Sequence, residues 1–379
     1  MLTPLQVYGS VHSYFTGKFE SYLRYKEIPY DLVTITPGAM KKMRAGTGVA
    51  QVPGVLLADG RWMTDSTPMI AWLETQFPQP AVMPADPATR FLSLLVEDFA
   101  DEWLWRPAMH YRWSHADDRF VLGNRLGREI LGRQPLPQAV RRKVFQQRQL
   151  GIFIRGDGID PRTRAHADAA YLRVLDLLEA IFGQRPYLLG ERPTIADIGF
   201  MGPMFRHFAQ DPTPAHLMAE RAPAVWEWVA RTWNARAGRL GDGELLIAAP
   251  DDWDPILRES GVTHLEMLDA NARAHQVDEP RHDAEIQGVI YRDLPTSPYR
   301  VWCLEQLRAR FDELDPESAL VVRQRLEGTG AWEPLWRTDG LASGHDPDGD
   351  APFCAGQRVF PAERPEVFGR LWRRYRRRS

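Results

Sequence analysis

Only two cysteines, Cys303 and Cys354, occur in the 379 residues, both in the last quarter. They cannot build a disulfide framework and neither sits in a metal-ligand spacing, so a reducing compartment is expected. Long apolar runs are also missing. Apolar-rich stretches such as residues 92–96 and 196–200 fall far short of the ~20 that span a bilayer. Residues 1–10 run straight into a strand-like segment without the basic stretch and apolar core of a secretion signal, which points to the cytoplasm. The formal net charge is only -3, so no global field indicates nucleic acid or a membrane as partner. The ten histidines show no HExxH-like spacing, and neither a P-loop nor a GxGxxG occurs. Asp346-Pro347-Asp348-Gly349-Asp350 lacks the glycine and glutamate that a calcium loop needs at its sixth and twelfth positions. No metal is expected.

What is present is an ordinary globular balance, 44% hydrophobic and 26% charged, on a chain too long for one core. Residues 5–8 form a short strand candidate closed by Gly9-Ser10. Phe15, Phe19, Tyr22 and Leu23 then recur at helical spacing until Ile28-Pro29. Residues 30–35 alternate as a second strand, broken by Pro37-Gly38. Residues 41–51 form a polar loop before Val52-Pro53-Gly54 and the buried-looking strand 55–57. Asp59-Gly60 signals a hairpin that returns through Trp62-Met63, and Thr64-Asp65-Ser66 starts a helix. The order, βαβ then ββα, is the outline of the thioredoxin fold. After the Pro-rich link 78–87, helices are expected at 90–105, 137–153, 164–182, 194–208 and 222–233, with Thr194 and Asp197 as a capping box. Beyond residue 240 no single period dominates. A strand at 287–291, helices at 299–314 and 316–326, a Gly/Asp loop at 339–351 and a basic helix at 365–377 are expected.

The chemistry gathers at two points of the first 80 residues. An X–Pro bond can be cis at a cost of only ~0.5–1 kcal/mol, and a bend at Val52–Pro53 exposes the Val52 backbone to a peptide-like ligand lying alongside. The alternative is a plain strand entry. A helix N-terminus at Ser66 binds carboxylates through its free N–H groups, while Asp65 beside it can pair with an ammonium. Carboxylate and ammonium on one carbon describe the γ-glutamyl end of glutathione. The alternative is a simple N-cap with an acidic neighbour.

Tyr8-Gly9-Ser10-Val11-His12-Ser13-Tyr14, Lys26-Glu27-Ile28-Pro29-Tyr30, Gln51-Val52-Pro53 and Asp65-Ser66-Thr67-Pro68-Met69-Ile70 together resemble the N-terminal domain of glutathione transferases. Residues 186–200 resemble the capping segment of that family's helical domain, and the resemblance covers about the first 235 residues. It implies a fold of α+β/α class: a thioredoxin-like glutathione-binding domain at 1–80, an all-helical domain at 88–238 and a mixed C-terminal extension of unknown role at 239–379. It also implies glutathione as co-substrate, a homodimer, and a hydroxyl near the start of the first helix that favours the thiolate. Ser13 falls where serine-type members carry that hydroxyl. Ser10, Tyr14 and Thr16 are rivals, and Ser13 could instead serve only as a helix cap. The absence of cysteine from residues 1–302 disfavours the disulfide-exchanging members. His12 is a poor base candidate.

Gln51, Val52, Pro53, Asp65 and Ser66 are the expected glutathione contacts, with Lys41 meeting the glycine carboxylate and Lys42 and Arg44 nearby. Gly54 stands as an extra residue before the third strand, and Asp65 replaces the usual glutamate. The family's first long helix after the linker faces the site; here it carries Trp103, Trp105, His110, Tyr111 and Trp113, with Trp103 and Tyr111 as candidate electrophile contacts. The function implied is activation of the glutathione thiol for attack on a small hydrophobic electrophile. The alternative is a non-catalytic binding or scaffold protein of the same fold, to which the extension lends itself. The basic C-terminal helix could meet an anionic membrane or RNA, but is read as a docked terminal helix instead.

Overall fold

Four strands in the order β2-β1-β3-β4 form the first sheet: β1 (Leu5–Gly9), β2 (Tyr30–Thr34), β3 (Gly54–Leu56) and β4 (Trp62–Thr64). The protein is described here from a computed structural model that covers residues 3–241 and 243–353. β1 pairs in parallel with β2 (Val7 opposite Leu32) and antiparallel with β3 (Val7 opposite Val55), which is the thioredoxin-like arrangement. Helix α1 (Tyr14–Tyr25) buries Phe19, Tyr22 and Leu23 against this sheet.

Residues 41–51 are not a loop for most of their length, because α2 spans Pro37–Thr47. Thr36 caps it by accepting from the Ala39 N–H at 3.3 Å, Pro37 sits in the first turn where its missing N–H costs nothing, and Gly48 ends it with φ 76°. Gly54 is not an insertion either. It is the first residue of β3, opposite Tyr8 and Thr64, and a Cβ there would lie 2.7 Å from Met43 Sδ of α2. Helix α3 (Ser66–Gln76) begins at Ser66, so Asp65 occupies the cap position and Ser66 is already helical. The sequence reading placed the cap one residue late because it could not see that Asp65 takes φ 72°, which ends the extended run there.

Helices follow: α4 (Pro87–Asp98), α5 (Trp105–Ser114), α6 (Ala116–Leu131), α7 (Gln138–Gln149), α8 (Arg164–Phe182), α9 (Ile195–Pro203), α10 (Pro212–Arg221), α11 (Pro223–Asn234) and the short α12 (Ala237–Leu240). The helix expected at 90–105 is interrupted by a wide π-type turn at Phe99–Trp103, and α6 was not anticipated. The capping box at α9 is present: Asp197 accepts the Thr194 N–H at 2.9 Å, and also the Leu188 N–H and the Trp228 indole N–H.

The C-terminal region supplies α13 (Asp254–Ser260), α14 (Glu266–Gln276), a hairpin of β5 (Arg281–Ile286) and β6 (Val289–Pro295), then α15 (Pro298–Asp312), α16 (Pro316–Thr329) and α17 (Trp332–Trp336). The strand expected at 287–291 straddles the hairpin turn instead, since Gln287 and Gly288 both take positive φ there. This region is not a loose appendage. One apolar core runs from Tyr14 to Leu335, with α15 and α16 packed on α4 and Phe311 edge-on to Phe91. Polar ties reinforce it: His264 Nε2 lies 2.6 Å from Asp98, His166 Nδ1 2.8 Å from the Tyr291 hydroxyl, and Arg185 grips Asp252 with two nitrogens. The chain then returns to the first sheet, where the Pro352 carbonyl accepts the Thr64 N–H at 3.0 Å and Phe353 packs on Trp72. That contact covers the exposed edge of β4. Cys303 is buried with a free thiol; Cys354 and the expected basic helix at 365–377 lie outside the described residues. Among the described residues no helix is long and apolar enough to cross a membrane.

Candidate active site

A cavity of about 650 Å³ opens between the first sheet and helices α5 to α7, within the range of small-ligand sites. Its polar end is made by three short segments: the loop and first turn before α1, the turn before β3, and the start of α3.

Ser13 is the N-cap of α1, its Oγ accepting the Thr16 N–H at 3.3 Å. Accepting that bond leaves the hydroxyl proton to donate elsewhere, and it has no acceptor among the described residues, so capping and donating to a ligand are compatible roles. The rival hydroxyls are either committed or turned away from the cavity. Tyr14 donates to the Ala100 carbonyl and burial drives its pKa well above the usual tyrosine value. Ser10 donates to Glu129 at 2.7 Å, and Thr16 is buried away from the cavity. His12 lines the cavity, but burial and the nearby Arg112, Arg125 and Arg206 push its pKa down to about 3, so its ring is neutral and a weak base.

Two buried arginines fix the loop that carries Ser13. Arg112 donates to the His12 carbonyl at 2.7 Å while holding Asp211 with two nitrogens, and Arg206 donates to the Val11 carbonyl at 2.8 Å while paired with Glu20. The helical region thus positions the N-terminus of α1, whose twelve-residue dipole favours an anion at Ser13.

Val52–Pro53 is cis, and Gln51, Val52 and Pro53 all line the cavity, as do Asp65 and Ser66. Burial raises the pKa of the Asp65 carboxyl to about 6 against the opposing pull of Lys18. Its backbone lies in a region that non-glycine residues rarely adopt, a strain that persists only where surroundings hold it. Beneath it Lys18, fully buried, joins Glu97 and Asp101, and donates to the Thr67 hydroxyl at 2.7 Å. Lys41 is not brought to the cavity. Met40 and Arg44, one turn apart on α2, line it instead, because a helix and not a loop sets which side chains face inward.

The other end is apolar. Phe15 stacks on Trp105 at 5.6 Å, Phe153 meets Trp105 edge-on at 5.2 Å, and Trp105 is anchored by its indole N–H to Asp157 at 2.9 Å. Trp113 and Met109 join this wall, whereas Trp103 and Tyr111 are packed in the core and do not reach it. One wall residue, Tyr299, comes from α15, where the family resemblance had already ended and no sequence signal marked it. Away from the cavity, His110, His115 and Asp168 bring one potential ligand atom each within 4.8 Å of one another. Both ring nitrogens of His110 already have partners there, Ser114 and Asp168.

Residues 7–81 match the family model for the glutathione S-transferase N-terminal domain, and residues 161–231 match that for the C-terminal domain. Among solved structures, a glutathione S-transferase of Methylobacterium radiotolerans in complex with glutathione sulfonate is 20% identical, with TM-score 0.38, covering 60% of this chain and 90% of its own. A glutathione S-transferase of Rhodospirillum rubrum is 20% identical with TM-score 0.37, covering 60% and 86%. A Sphingobium beta-etherase is 18% identical with TM-score 0.42, covering 60% and 94%. A search of curated proteins found no match.

Proposed function

From its membership of the glutathione transferase superfamily, which the two domain matches establish, we propose that this protein activates the thiol of glutathione for attack on a small hydrophobic electrophile. The observation that carries the reading is the Ser13 hydroxyl, proton uncommitted, opening into the same cavity as Val52–Pro53 and Asp65–Ser66. Asp65 receives the γ-glutamyl ammonium, and the first N–H groups of α3 at Ser66 receive the carboxylate on the same carbon. The Val52 backbone pairs with the cysteinyl residue and Arg44 faces the glycine carboxylate. Ser13 and the α1 dipole then stabilise the thiolate, and the wall of Phe15, Trp105 and Phe153 holds an apolar electrophile beside it. The same reading takes the protein as a cytoplasmic homodimer.

Calorimetry of the full chain with glutathione tests this. Binding needs the Asp65 carboxylate ionised. Its pKa is raised to about 6, so affinity is full above about pH 7 and falls by up to about tenfold per pH unit below 6. No heat at millimolar glutathione at pH 7.5, or affinity that rises on acidification, overturns the reading.

A further inference from the structure

His110 lies in the second half of α5, His115 is the residue before α6, and Asp168 opens the second turn of α8. A potential ligand atom of each comes within 4.8 Å of the other two. His110 Nε2 stands 3.1 Å from Asp168 Oδ1, and Nδ1 on the other side of its ring is 3.0 Å from the Ser114 hydroxyl. A shared proton accounts for the His110–Asp168 pair but leaves His115 without a role. His115 holds the N-cap position of α6, where Ser, Thr, Asp or Asn ordinarily serves, yet its side chain caps nothing. Instead its ring turns back toward His110, 5.3 Å between centroids, and stacks parallel to Tyr111 at 5.2 Å. Its Nε2 is buried and has no hydrogen-bond partner among the described residues. A buried polar atom left so costs stability unless something binds it.

We propose that His110, His115 and Asp168 form a site for a divalent transition metal, zinc in the first instance, that pins the start of α6 to α5 and α8. Two imidazoles and one carboxylate suit zinc, whereas copper(I) favours sulfur donors and magnesium or calcium favours oxygen alone. Ligand atoms about 2.1 Å from a tetrahedral ion stand about 3.4 Å apart. His110 Nε2 and Asp168 Oδ1, at 3.1 Å, need to open only slightly to admit it. His115 closes the remaining gap by rotating its side chain, whose Nε2 no hydrogen bond restrains. With Nδ1–H donated to the Ser114 hydroxyl, His110 presents its Nε2 lone pair to the ion, and Ser114 is the outer partner that orients a metal-bound imidazole. The Asp168 side chain is 39% exposed, so water reaches the fourth position. α5 also carries Met109, Arg112 and Trp113 of the cavity wall, which the metal steadies from the far side of the helix. The site stands whether or not glutathione is the ligand of that cavity.

The test is calorimetry of zinc with the full chain, first stripped by a chelator, beside His115→Ala, Asp168→Asn and Ser114→Ala. Asp168→Asn keeps the side-chain shape at a partly exposed position, so the comparison stays decisive should His115→Ala fail to fold. One zinc per chain binds at micromolar concentration or below. Ser114→Ala weakens it about tenfold and loss of either ligand about 100-fold or more, on the scale of outer-partner losses. Cobalt(II) in place of zinc gives visible absorption bands of a nitrogen–oxygen donor set, and both ligand variants abolish them. Failure to take up one zinc per chain at micromolar concentration overturns the proposal. So does uptake that His115→Ala and Asp168→Asn both leave unchanged, which assigns the zinc to exposed groups such as His216 and Glu220.

Discussion

Ser13→Ala lowers turnover about 10- to 100-fold while the KM for glutathione shifts by less than about threefold. The magnitude is that of one hydrogen bond to an ionised group, ~1.5–3 kcal/mol, expressed only when the sulfur carries charge. The same change removes the α1 cap, for a separate stability loss of about 1 kcal/mol. The two effects separate by pH. Losing the donor raises the pKa of the bound thiol, so the rising limb of kcat/KM moves up by about 1–2 pH units, and much of the deficit at neutral pH disappears under alkaline conditions. A cap loss alone lowers the melting temperature without moving that limb. Steady-state kinetics with an activated aryl halide across pH 6 to 9 measures it; an unmoved limb with unchanged kcat removes Ser13 from the chemistry.

Lys18→Met destabilises the fold by about 3–5 kcal/mol, the cost of leaving buried carboxylates without their cation. Lys18 is fully buried against Glu97 and Asp101, where α1 of the first domain meets α4 and the turn that follows it. Burial raises the Asp101 pKa strongly and Lys18 is the principal influence lowering it, so in the variant Asp101 takes up a proton more readily still. A protonated acid needs no counter-ion. The deficit, read as the difference in urea midpoint between variant and wild type, is therefore larger at pH 8 than at pH 5. A difference of under about 1 kcal/mol at pH 8 contradicts the structural weight given to this cluster.

The first sheet was legible because its strands alternate and its turns carry their own signals: Gly9-Ser10, Asp59-Gly60, and the Val-Pro before β3. α2 was not. Lys41, Lys42 and Arg44 are all exposed, which reads as loop, and its packing rests on Met43, buried beside the bare backbone of Gly54. Thr36, Pro37 and Gly48 were the available signals, and weighing them would have turned Arg44 rather than Lys41 to the cavity. The aromatic wall failed for a different reason. A π-type turn at Phe99–Trp103 adds a residue to the repeat and rotates everything after it by about one residue's angle, roughly 100°. The cavity-facing positions of α5 therefore cannot be counted from residue 90, and the protein presents Trp105 and Trp113 where Trp103 and Tyr111 were the candidates. Ser13, Val52–Pro53 and Asp65–Ser66, which line one cavity, could be singled out because local rules govern them: a cap, an imide bond, a helix start. Tyr299 depends on how a helix more than 230 residues from Asp65 in sequence reaches the same cavity, and no local rule reaches that far.

A crystal of the full chain grown with glutathione measures the central claim directly. The tripeptide is expected in the cavity with its sulfur about 3 to 3.5 Å from Ser13 Oγ and its γ-glutamyl ammonium on Asp65. A cavity without the tripeptide at millimolar glutathione, or a sulfur turned away from Ser13 toward solvent, contradicts the account.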